Sequence, residues 1–164
     1  MLKLVAFFPH PPIVVPEVGG SEADRVSATA RAMERLAREI NDLKPEVIVA
    51  ITPHGPVFSD AVTILAADPL EGDLGQFGAP QVKVQYQLDR EAAAAILEEC
   101  RGGSVHCAAL DEKTLSRYRR SARLDHGLLV PLSFVAKTGW RGRLTPVNMG
   151  LLPYEELYHF GFLL

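Results

Sequence analysis

Three observations predict an α/β fold with a mainly parallel central sheet, helices on both faces and a cleft at the carboxyl ends of the strands. First, short runs of β-branched and apolar residues alternate with longer stretches of helical periodicity, as in strand–helix–strand units. Second, two of those runs, residues 2–8 and 47–51, are each closed by a proline with a histidine behind it, Pro9-His10 in one case and Thr52-Pro53-His54 in the other. Proline cannot donate to a sheet ladder, so it ends the pairing where it stands. Third, the residues between the two runs can supply a crossover helix, which would set the strands parallel and side by side.

Taken in order, residues 2–8 predict a first strand. Residues 13–20 form an irregular proline- and glycine-containing segment that carries Glu17. Ser21 to Asp24 offer helix caps and first-turn acids, and a helix to about Leu43 follows, with Val26, Ala30, Met33, Ala37 and Ile40 on one face. Residues 47–51 read as a strand buried on both faces. A third strand is predicted at 61–66, then a glycine-rich loop at 68–80, then an alternating, half-buried strand at 82–86. Asp89 caps a helix over 90–99, Gly102-Gly103 ends it, and 105–109 is another strand candidate. The polar stretch 111–123 gathers Arg117, Arg119, Arg120 and Arg123. It reads either as a solvated face or as an anion-attracting edge beside the cleft. Asp125 sits at a helix N-cap with His126 in the first turn, and Pro131 shortens or kinks that helix. A last strand at 144–148 precedes a helix that starts at Pro153 and is amphipathic through Leu157 and Phe160.

The 164 residues suggest one domain with room for a real core. A composition 48% hydrophobic and 23% charged is that of an ordinary globular protein, and a net charge of −3 favours neither nucleic acid nor an anionic membrane. No apolar run approaches the roughly 20 residues a membrane span needs. The start of the chain lacks a signal-peptide pattern, so the cytoplasm is the expected location. Cys100 and Cys107, outside any CxxC spacing, are expected to be reduced thiols.

Neutral imidazole is a common ligand for iron, zinc, copper and nickel. Two histidines fixed at neighbouring strand ends make half of a mononuclear site, at the edge where open α/β sheets place ligands. At a helix N-terminus the partial positive charge disfavours imidazolium, so His126 is expected to be a neutral base, with Asp125 pulling the other way if it touches the ring. A lone histidine is more often structural, and His106 and His159 are read that way. Glu17 and Asp60 are acids in loops, ordinarily solvated, and Phe77 is a core or pocket-wall candidate. Metal-assisted hydrolysis ranks lower because no general-base glutamate is evident near either histidine.

In this order, the segments FFPHPPIVVPEVGG, ITPHGPVFSD, GQFGAP and LDHGLLVPL resemble the LigB superfamily, the catalytic subunit of class III extradiol ring-cleavage dioxygenases. They are most similar to its Memo-like branch, found in the AmmeMemoRadiSam system. The resemblance runs from His10 to about Leu157. It implies metal ligands at His10 and His54, an acid/base residue at His126, and a substrate pocket that includes Asp60, Phe77 and Gly78. It further implies Fe(II) as cofactor, with Zn²⁺ the other metal to consider, and meta-cleavage of a catechol-type aromatic diol by O₂. Memo-like members imply an alternative, a non-catalytic metal- or ligand-binding protein. Family members continue past the point matching Gly150 and draw a further ligand from there. The expectation is therefore a single, C-terminally shortened domain over 1–164 holding two family ligands. Glu17, Asp125 or a partner subunit would complete or support the site, and self-association is expected.

Overall fold

The structure, a computed structural model, describes residues 1–103 and 105–164. Among the described residues six strands and six α-helices follow in the order α1 (Pro16–Gly19), α2 (Ser27–Leu43), β1 (Val47–Thr52), β2 (Val62–Leu65), β3 (Leu70–Leu74), β4 (Ala79–Tyr86), α3 (Arg90–Gly102), β5 (Cys107–Leu110), α4 (Glu112–Arg117), α5 (His126–Lys137), β6 (Arg143–Asn148) and α6 (Tyr154–Leu163). Four strands form one sheet in the order β1-β6-β2-β5, and β3 pairs with β4 as a separate hairpin. Within the main sheet β1–β6 and β2–β5 are parallel and β2–β6 is antiparallel. The sheet is thus mixed and mostly parallel, and the carboxyl ends of β1 and β6 lie where β2 and β5 begin.

Its centre is dry on both faces. Every residue of β2 is buried, as is every residue of β6 after Arg143. Helix α5 packs against β1 and α2 against α5, while α3 lies against β5 and β6. Met33, Ala37 and Ile40 of α2 are buried, as their spacing predicts. Asp89 and Asp111 accept hydrogen bonds from Ala92 N and Thr114 N, capping α3 and α4. No helix among the described residues is long and apolar enough to cross a membrane.

Several expectations are corrected. Residues 2–8 form no strand: Leu2, Val5 and Phe7 are exposed, and only Leu4 and Phe8 pack on the core. Their anchor is Lys3, whose Nζ donates to Leu43 O (2.8 Å) at the end of α2. No strand of the sheet takes up the backbone donors and acceptors of this segment, and Pro9, Pro11 and Pro12 bar pairing beyond it. The strand–helix–strand crossover is therefore absent, and β1 is an edge strand. Val49 and Ile51 are 42% and 48% exposed, so the apolar run that reads as doubly buried covers one face only.

The glycine-rich stretch 68–80 is not a loop but most of a hairpin. Leu70 and Leu74 alternate inward with Gly72, which hides the period of two. A Cβ on Gly72 would lie 2.8 Å from Leu129 Cδ2, so glycine here lets β3 close on α5. Gly78, at φ +80°, turns the chain into β4 in a conformation that favours glycine. The helix preceding β1 begins as a 3-10 segment, Gly20–Val26, without side-chain caps. Helix α5 continues through Pro131 to Lys137.

Leu144, fully buried in β6, is expected to cost about 2–5 kcal/mol when replaced by alanine. Val49→Thr on the exposed edge should change stability by about 0.5 kcal/mol or less. Urea unfolding of both variants checks the contrast, and equal losses would contradict the assignment of centre and edge.

Candidate metal and acid–base site

Three chain segments bring imidazoles to one place. His10 leaves the irregular N-terminal segment between prolines, just before a 3-10 turn, Pro12–Val14, that buries Val14. Val14 N and Val15 N donate to Pro11 O and Pro12 O, so the backbone after His10 is pinned even though no strand precedes it. His54 follows β1 by two residues, and its backbone N–H donates to Thr52 Oγ1 (3.2 Å). His126 opens α5 directly behind the N-cap Asp125, whose Oδ1 accepts from Gly127 N (2.7 Å).

The ring centroids of His10 and His54 are 4.8 Å apart, those of His54 and His126 4.2 Å, and those of His10 and His126 6.0 Å. Nε2 of His10 and Nε2 of His54 are 2.9 Å from each other. That is hydrogen-bond distance, one ring donating to the other with the direction set by their tautomers. It also suits a shared ion: two imidazole nitrogens bonded at about 2.1 Å and at right angles stand about 3.0 Å apart. The donor chemistry and spacing of this pair thus fit a borderline divalent metal. Among the described residues no group of three or more His, Cys, Asp or Glu side chains has the arrangement to hold an ion.

Burial is the largest cause holding the His126 imidazolium pKa below its ordinary value, and the neighbouring His54 and His10 rings add to it. Asp125 pulls the other way without reversing the shift. His126 is accordingly neutral at pH 7, with a lone pair available to take a proton. Phe77, on the 3-10 turn before Gly78, presents its ring at 69° to His126 with centroids 5.4 Å apart. An aromatic edge therefore flanks the His126 ring.

The other residues singled out lie apart from the three rings or beside them in different ways. Glu17 pairs with Lys137 (3.3 Å) at the end of α5 opposite His126. Asp60 is exposed in the loop leading to β2. Asp125 points its carboxylate into the polar layer beneath the rings. Its Oδ1 accepts from Thr52 Oγ1 (2.8 Å). Arg123 of the basic cluster pairs with Asp73 on β3. His106 and His159 are exposed, and Cys100 and Cys107 are free thiols, the latter pushed up to about 12 mainly by burial.

Residue-type reasoning misses Thr52, Gly127 and Asn148. Thr52 and Asn148 are fully or almost fully buried polar residues at the carboxyl ends of adjacent strands β1 and β6. Asn148 Nδ2 donates to Thr63 Oγ1 (3.1 Å), and a Cβ on Gly55 would sit 1.7 Å from Asn148 Oδ1. Gly127 is equally confined, since a Cβ there would meet Thr52 Oγ1 at 2.5 Å and His54 Cδ2 at 3.1 Å. The available sequence signal is a polar residue ending a strand two positions before a candidate ligand.

Residues 4–162 match the family model for the catalytic LigB subunit of aromatic ring-opening dioxygenase. Protein CA_C1420 of Clostridium acetobutylicum is 34% identical over 153 residues, which is 93% of this chain and 33% of that relative. The chain thus spans about a third of the length of the curated relative it matches. With nearly every residue inside the family match, and with His10, His54 and His126 gathered within it, the chain belongs to the LigB family of aromatic ring-opening dioxygenase subunits.

Proposed function

We propose that the chain is an extradiol-type oxygenase module in which His10 and His54 hold Fe(II) and His126 is the acid–base residue. The observation that carries this reading is the convergence of the three imidazoles, two with Nε2 atoms 2.9 Å apart and the third held neutral. Bound Fe(II) would supply electron transfer to O₂ and a template for both oxygens of a catechol-type diol. His126, neutral and beside the pair, accepts a proton from a diol hydroxyl at its ring nitrogen and can return it later. Phe77 and the turn through Gly78 form an apolar wall that limits water near that nitrogen and gives an aromatic ring a face to lie against. Asp60 stands at the exposed rim of the loop that follows His54, where it would meet polar substituents.

A binding role without turnover is the second reading. It is favoured by the two-nitrogen donor set, since no three-donor group is present among the described residues. Two imidazoles hold a divalent ion more weakly than three ligands, and Zn²⁺ suits the same nitrogens. A partner subunit or a second copy supplying a further donor belongs to either reading.

Anaerobic loading with Fe(II), followed by catechols and air, separates them. Oxygen uptake with a yellow ring-opened product supports the oxygenase reading. Stoichiometric metal without uptake for any diol leaves the binding role. His10→Ala and His54→Ala should each cut bound Fe(II) to well below one equivalent, and unchanged metal content in both would exclude the metal site. His126→Gln should retain metal while slowing ring cleavage by about 10²- to 10⁴-fold. In the metal-free chain, NMR titration should find His126 protonating below the ordinary histidine range near 6.5. The neutral base is therefore lost only as pH falls through that depressed value, and an ordinary or raised value would contradict its assignment.

A further inference from the structure

We infer that the Thr52 hydroxyl is a positioning group that sets His54 against His126, an inference that rests on the metal and base roles proposed for those rings. Thr52 is wholly buried at the last position of β1. Its Oγ1 does two things at once: it donates its proton to Asp125 Oδ1 (2.8 Å) and accepts the His54 backbone N–H (3.2 Å). Asp125 Oδ1 in turn receives Gly127 N–H at 2.7 Å. One hydroxyl therefore joins the backbone of the candidate ligand His54 to the N-cap of the helix that carries His126. The β-branched side chain has few χ1 choices, so this node is stiff.

Space confirms how closely the node is built. A methyl on Gly127 would come within 2.5 Å of Thr52 Oγ1, 2.8 Å of Asp125 Oδ1 and 3.1 Å of His54 Cδ2. Nothing larger than hydrogen fits between hydroxyl, carboxylate and ring. The far side of the His54 loop is held separately. Gly55 rests on Asn148, and Thr63 Oγ1, which receives Asn148 Nδ2, donates to Pro56 O (3.4 Å). Removing the Thr52 hydroxyl should thus free the His54 backbone relative to α5 while the loop behind it stays seated.

Valine keeps the shape of threonine but neither bond, leaving a part-buried N–H and a carboxylate oxygen each short of a partner. Serine keeps both bonds. The test titrates Co²⁺ into the full chain and into Thr52→Val and Thr52→Ser, reading dissociation constant and the visible d–d spectrum, with circular dichroism as the check on folding. Thr52→Val should weaken Co²⁺ binding about 10- to 100-fold and alter the spectrum, whereas Thr52→Ser should stay within about 2-fold with the original spectrum. Rescue by serine is what a loss of general stability would not produce. If Thr52→Val does not fold, Asp125→Ala against Asp125→Asn reads the other end of the same bond, weakening expected for alanine only. Unchanged binding and spectrum in Thr52→Val, or in a folded Asp125→Ala, overturn the inference. So does equal weakening in both members of either pair. His54→Ala run alongside keeps the two levels apart: if it too binds Co²⁺ normally, the metal reading has failed, not merely the role of Thr52.

Discussion

The hydrogen bond from Thr52 Oγ1 to Asp125 Oδ1 crosses 73 positions of sequence and joins the two elements on which the site is built. Strand β1 ends at that hydroxyl and α5 begins at that carboxylate. Each partner is also committed locally, Thr52 to His54 N and Asp125 to Gly127 N. A donor–acceptor chain that is satisfied at every member tolerates burial, whereas a broken one leaves polar groups without water. The elements that carry His54 and His126 are thus connected by hydrogen bonds in a part-buried layer and not only through the rings themselves.

Around that layer the sheet provides rigidity in the middle and little at one edge. Leu144, Val147, Ile64 and Val62 are shut away from solvent, and β6 and β2 meet antiparallel through Val147 and Asn148. That pairing brings Thr63 under Asn148 and so under the loop of His54. On the outer side, β1 shows Val49 and Ile51, with Leu2, Val5 and Phe7 also exposed nearby in sequence to His10. A second apolar surface lies on α6, where exposed Tyr154 stacks on Tyr158 and Tyr158 meets Phe162 edge to face. Surface of this kind exceeds what isolated exposed apolar residues need by way of explanation.

The electrostatics of the site come from burial and from like neighbours. Burial first, and then the neighbouring His54 and His10 rings, hold the His126 imidazolium pKa below its ordinary value. Asp125 pulls the other way but is outweighed by burial and the His54 ring. Two imidazole nitrogens 2.9 Å apart beside a third ring whose pKa is lowered suit the cation site and neighbouring proton acceptor that we propose. An anion site would need the reverse.

The four proline- and glycine-bounded motifs point to the family, to the helix that begins at His126 and to three histidines whose rings the structure brings within 6.0 Å of one another. Pro53 follows the last residue of β1 and Asp125 caps α5, and both are signals carried by the residue itself. The mixed direction of the sheet, the hairpin hidden by Gly72 and the exposed edge of β1 could not be read from the chain, since pairing partners far apart in sequence decide them. The N-terminal run is the clearest case: residues 2–8 have strand composition, but a strand exists only when a neighbour takes up its backbone donors and acceptors. The same reason kept Thr52, Asn148 and Gly127 out of sight. Their roles consist of contacts made across elements, and a hydroxyl, an amide or a missing side chain acquires meaning only once tertiary packing has excluded water around it.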